Sequence, residues 1–135
     1  GRIMLHRITE LLAQNENFAF ETTLATRSYK NRILEAKKKN YNVTLLFFWL
    51  KNPELAKERV ETRVLEGGHN IPEDVIERRY YKGIKNLFEI YLSIVDQTLI
   101  FDNSEGKHNL IAEISTSEEL NVINELKFNE LKSYL

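Results

Sequence analysis

The chain has 135 residues, 42% of them hydrophobic and 29% charged, enough for one domain around one core. Its formal net charge is -1, so no global field selects nucleic acid or an anionic membrane, and an anion site must be a local cluster of basic residues. Cysteine is absent, which excludes disulfides, zinc–thiolate sites and thiol nucleophiles; His6, His69 and His108 lie far apart and lack metal-ligand spacing.

Met4, Ile8, Leu11 and Leu12 recur at helical spacing and predict an amphipathic helix over residues 2–14, closed by Asn15-Glu16-Asn17. Phe18 to Thr22, apolar up to Glu21, predicts a short strand. A second helix follows over 27–39. Its last turn, Lys37-Lys38-Lys39, suits the negative helix end, and Asn40 is a C-terminal cap. Val43 to Leu50 is nearly continuously apolar, the pattern of a strand buried on both faces, and is too short to span a bilayer. Strand, helix and strand in this order make a βαβ unit.

Asn52-Pro53 opens a helix that runs to Glu66 and stops at Gly67-Gly68. Pro72 starts a long helix with an apolar stripe from Val75 and Ile76 through Tyr80, Ile84, Leu87, Phe88 and Tyr91 to Val95. Thr98 to Asp102 is another buried strand, and 109–114 a weaker, edge-type strand. Thr116 and Glu119 form a capping box for a final helix over 118–134. The order α-β-α-β-α-α-β-β-α predicts a single domain over 1–135: an open α/β sheet, mostly parallel, with helices on both faces. No signal peptide is visible, so a cytoplasmic protein is the default. The chain enters its first helical pattern directly from Gly1-Arg2-Ile3, as a fragment would.

Sheets of this kind bind ligands beyond the carboxyl ends of their strands. Three such ends are polar: Glu21-Thr22-Thr23, Lys51-Asn52 and Asp102-Asn103-Ser104. A carboxylate ending a buried strand needs a partner, which favours a functional Glu21. Threonine hydroxyls both donate and accept, which suits a sugar or a nucleotide, although Thr23 or Thr26 could equally cap the next helix. Arg59 and Arg63 share a helix face, and Arg78-Arg79 begins the next helix beyond Gly67-Gly68-His69. Arginines on both arms of a glycine-linked helix pair are what a mobile lid over ATP phosphates requires. Taken singly, each arginine also reads as a surface ion pair with the many nearby glutamates. His69 has three readings: phosphate contact, donor to the substrate, or cap of Gly67-Gly68. Asp102-Asn103-Ser104 reads as nucleotide pocket or Asx-type turn. Trp49 is core. No G-x-x-x-x-G-K-[ST] loop occurs, and Gly106-Lys107 lacks its glycine context.

Phe18-Ala19-Phe20-Glu21-Thr22-Thr23-Leu24-Ala25, the Val43–Leu50 strand, Arg59 to Arg63, Gly67-Gly68-His69-Asn70-Ile71-Pro72, Arg78-Arg79-Tyr80 and Asp102-Asn103-Ser104 together resemble the bacterial zeta-toxin-family kinases, from Gly1 to about residue 114. The resemblance implies a P-loop kinase fold using ATP and magnesium. The expected reaction is phosphorylation of a hydroxyl of a nucleotide sugar such as UDP-N-acetylglucosamine, and a helical antitoxin is a possible partner. It implies that Glu21 and Thr23 are the substrate-side carboxylate and threonine and that Arg63 with Arg78 or Arg79 acts from the lid; beside them Thr22 is expected to bind substrate, and Arg59, His69 and Asn103 to serve the nucleotide. The family's P-loop strand and catalytic aspartate would precede Gly1. The chain alone is therefore expected to be inactive, with a sheet edge open to another copy. Two other expectations stand beside this one: a P-loop kinase for an antibiotic or nucleoside, and a non-catalytic partner-binding domain.

Overall fold

The computed structural model describes residues 1–115 and 120–135. Five α-helices stand among them: α1 (Arg2–Ala13), α2 (Lys30–Lys38), α3 (Pro53–Leu65), α4 (Glu73–Asn86) and α5 (Glu125–Lys132). Four strands, β1 (Thr44–Trp49), β2 (Gln97–Asp102), β3 (Asn109–Ser115) and β4 (Asn121–Val122), form one sheet in the order β1-β2-β3-β4. The chain is thus a mixed α/β protein.

The helix ends follow local chemistry. Asn52 caps α3 by accepting from the Leu55 N–H at 3.0 Å, with Pro53 in the first turn. At the other end of α3, Gly67 (φ 95) donates to Val64 and Gly68 to Arg63. These are the two bonds of a Schellman cap. Asn15 (φ 57) and Asn40 (φ 65) close α1 and α2 with the same pair of bonds. Gly67-Gly68 therefore ends a helix by a defined hydrogen-bond pattern.

Several expectations are corrected. Residues 18–22 are not a strand, because no strand of the sheet lies beside them. Their apolar rings pack sideways instead, Phe18 on Tyr41 and Phe20 on Tyr29. The sheet is not mostly parallel: β1–β2 is parallel, but β2–β3 and β3–β4 are antiparallel. Six residues, 103–108, join β2 to β3, too few for the crossover that a parallel pair needs. The βαβ unit is β1, the α3–α4 pair and β2. Helices do not bury both faces of β1: Leu45, Phe47 and Trp49 pack inward, while Leu46 and Phe48 stay 49% and 46% exposed. Strand β3 is not an edge, since β4 pairs with it, and Ile111 and Ala112 are fully buried.

The long helix does not continue as α-helix to Val95. It passes at Leu87 into a π-helical turn, Leu87–Tyr91, closed by Leu92 N–H to Leu87 O at 2.9 Å. The last helix begins at Glu125, not 118, because Asn121–Val122 first adds β4. Asn124 caps that helix through Lys127 N–H at 3.1 Å. The expected capping box at Thr116 and Glu119 lies outside the described residues. One apolar cluster unites α1, the π-turn, the inward face of the sheet and α5 through Leu12, Ile84, Leu87, Tyr91, Trp49, Ile100, Ile111 and Leu131.

Candidate functional site

Residues 22–26 cross α4 at close range. Asn86, buried on α4, donates its side-chain amide to the Leu24 carbonyl at 2.9 Å. The Tyr91 hydroxyl donates to the Thr26 carbonyl at 2.6 Å. One helical turn before Asn86, Gly83 leaves room for the loop: a Cβ there would stand 2.9 Å from the Thr23 carbonyl oxygen. Leu24 is buried with φ 63, a left-handed conformation that costs a non-glycine residue about 1–2 kcal/mol. Packing into the core is what holds it there.

Gly83 gives a sharp prediction. Helix propensity alone would make Gly83→Ala stabilising by about 1 kcal/mol. The close approach opposes this, because the obstructing atom is backbone and overpacking costs about 1–3 kcal/mol. We expect Gly83→Ala to lower stability by about 1 kcal/mol in urea unfolding. A variant as stable as the parent would show that the loop yields freely.

The loop and α4 enclose an open cleft of about 400 Å³ lined by Thr22, Thr23, Thr26, Tyr29, Arg78, Arg79 and Lys82. The threonines are already shaped by their own loop. Thr22 Oγ1 accepts from Leu24 N–H at 3.3 Å, and Thr23 Oγ1 from Ala25 N–H at 3.4 Å. Each hydroxyl thus keeps its proton to donate to a ligand. Across the cleft Lys82 lies one helical turn from Arg78 and Arg79, and none of the three forms an ion pair among the described residues. Three unneutralised cations facing donor hydroxyls make a site for an anionic, oxygen-rich ligand.

A second polar cluster sits at the carboxyl ends of β1 and β2. Asp102, only 3% exposed, accepts from Ser104 and from Lys127 of α5. Burial pushes the Asp102 carboxyl up, but the Lys127 and Ser104 hydrogen bonds outweigh it and hold it below the ordinary carboxylate range. The same Asp102 bond raises Lys127. Arg59 donates to the Asn103 carbonyl at 2.5 Å, tying α3 to the tip of β2. Tyr80 receives Trp49 Nε1–H at 3.1 Å and donates to the Leu50 carbonyl at 2.6 Å; burial raises its pKa, so it remains a donor.

The structure therefore brings Thr22, Thr23, Arg78 and Arg79 into one cleft, and joins Arg59 to Asn103 elsewhere. It does not bring Arg63 or His69 to either place: both are exposed beside the α3 cap. Glu21 is exposed, does not line the cleft, and makes no hydrogen bond or ion pair among the described residues. Sequence reasoning missed Lys82, although its helical spacing from Arg78 and Arg79 was visible. It also missed the Asp102–Lys127 pair, whose separation of 25 positions leaves no local signal.

Comparison with known proteins gives three findings. The family model described as zeta toxin matches residues 1–114. An uncharacterized protein of Haemophilus influenzae is 33% identical over 69 residues, covering 51% of this chain and 49% of that relative, so the match spans about half of each. No solved structure matches.

Proposed function

The chain belongs to the zeta-toxin family of kinase-like P-loop domains, and from that premise we propose that it forms the acceptor-binding part of an ATP-dependent small-molecule phosphotransferase. The observation that carries this reading is the cleft in which Thr22 and Thr23 face Arg78, Arg79 and Lys82. The acceptor is a nucleotide sugar of the UDP-N-acetylglucosamine kind. Its hydroxyls accept from the threonines, and its phosphates meet the cations.

Phosphate groups of ATP suit the cationic wall, and ATP would supply the transferable phosphoryl group. Magnesium has no ready cage, since no three carboxylate or imidazole groups cluster among the described residues. The sequence contains no P-loop motif, so the 135-residue chain alone is expected to turn over no ATP.

One pair of observations favours a second reading, a non-catalytic binding domain: Glu21 is exposed and has no partner among the described residues, and the sequence contains no P-loop motif. Calorimetric titration separates the two. UDP-N-acetylglucosamine is expected to bind the chain, and Arg79→Ala to weaken it about tenfold or more, the value of one charge-assisted hydrogen bond. If nucleosides or an aminoglycoside bind in its place, the acceptor is different. Failure of all these ligands to bind leaves the second reading.

A further inference from the structure

We propose that the π-helical turn Leu87–Tyr91 is a clamp that fixes the threonine loop, with Asn86 and Tyr91 as its two positioning residues. The inference rests on the reading of that loop as the acceptor side of the cleft.

Asn86 and Tyr91 are five residues apart. On an α-helix that separation turns them about 140° away from each other, so they could not both reach one strap of chain. A π-turn brings residues five apart over one another. Here the Leu92 N–H to Leu87 O bond marks such a turn, and Asn86 and Tyr91 do meet one segment, at the Leu24 and Thr26 carbonyls. The α-helical register would give up one of those bonds. A π-turn is an uncommon departure from α-helix, and its position directly beneath the loop is matched by a second irregularity, the left-handed Leu24.

The two irregularities explain each other. Left-handed Leu24 redirects the chain so that residues 22 and 23 stand over the cleft while Leu24 itself enters the core at 4% exposure. That conformation is unfavourable by itself and is held by fixed partners for the Leu24 and Thr26 carbonyls. Asn86 and Tyr91, 7% and 0% exposed, supply them from beneath. Neither residue lines the cleft, so any effect on a ligand must pass through the loop.

The test is amide hydrogen exchange on the full 135-residue chain, combined with titration by UDP-N-acetylglucosamine. The variants are Tyr91→Phe, which deletes one hydroxyl, and Asn86→Ala. Both are expected to speed exchange at Leu24, Ala25 and Ser28 by about tenfold, the scale of one lost hydrogen bond, and to leave β1 and β2 amides unchanged. Sugar-nucleotide affinity should fall by a similar factor. Unchanged loop exchange in both variants overturns the clamp. A slackened loop that binds the ligand as tightly as the parent overturns the positioning role. If the parent binds no sugar nucleotide but the loop still slackens, the clamp stands and the acceptor reading falls. Should Asn86→Ala fail to fold, Tyr91→Phe decides alone.

Discussion

Trp49→Ala is expected to destabilise the protein by about 4 kcal/mol, the range found when a large buried aromatic is truncated. Trp49 ends β1 at 1% exposure and faces the core shared with Ile84 and Ile100. Its indole N–H also holds the Tyr80 hydroxyl, which in turn donates to the Leu50 carbonyl. The alanine variant loses the ring and leaves that hydroxyl with one fewer partner. Against a total stability of about 5–15 kcal/mol, such a loss brings the domain close to unfolding. Trp49→Phe keeps most of the volume and should cost about 1–2 kcal/mol, mainly the hydrogen bond. Urea unfolding followed by far-ultraviolet circular dichroism measures both. A loss below 1 kcal/mol for the alanine variant would mean that the site collapses around the gap.

Acid should unfold the protein partly through Asp102. Its carboxyl titrates lower in the folded chain than in the unfolded one, so folding favours the ionised form. The stabilisation is complete above the unfolded value of about 4 and disappears as pH falls through the folded value. Asp96 adds to the same limb, because the Lys37 ammonium and the Val43 N–H hold it low. Asp102→Asn should therefore destabilise the protein at pH 7 and flatten, without abolishing, the loss of stability below about pH 4. Removing a buried partner costs about 3–5 kcal/mol. Lys127 is one-third exposed and can turn to solvent, so about 2 kcal/mol is the expected loss. Urea midpoints between pH 3 and pH 7 test this. Identical slopes for parent and variant would show that Asp102 titrates normally.

Much of the helical layout was legible because its signals are local. Asn52-Pro53, Gly67-Gly68 and Asn40 each mark a helix end by short-range chemistry, and each acts where it was expected. Pairing was not legible to the same degree. Phe18 to Thr22 has strand composition, yet a strand needs a neighbour, and composition cannot name one. The apolar run in β1 says that its residues are hydrophobic but not which face is covered, and Leu46 and Phe48 remain half-exposed. The antiparallel β2–β3 pair could have been foreseen from its six-residue connection. In the cleft, Thr22, Thr23, Arg78 and Arg79 were chosen from their residue types and meet as a group, whereas Arg63 and His69 do not join them. The π-turn had no signal, since Leu87 to Tyr91 fits the apolar spacing of an ordinary helix.

The strand order also shapes how the domain assembles. Strands β2 and β3 are joined by residues 103–108, whereas residues 50–96 separate β1 from β2. Closing the longer connection costs about 2 kcal/mol more in chain entropy. The β2–β3 hairpin and the α3–α4 pair can form early from neighbouring residues, while β1 must dock after them. Folding speed is then governed by that late long-range docking rather than by the locally formed helices.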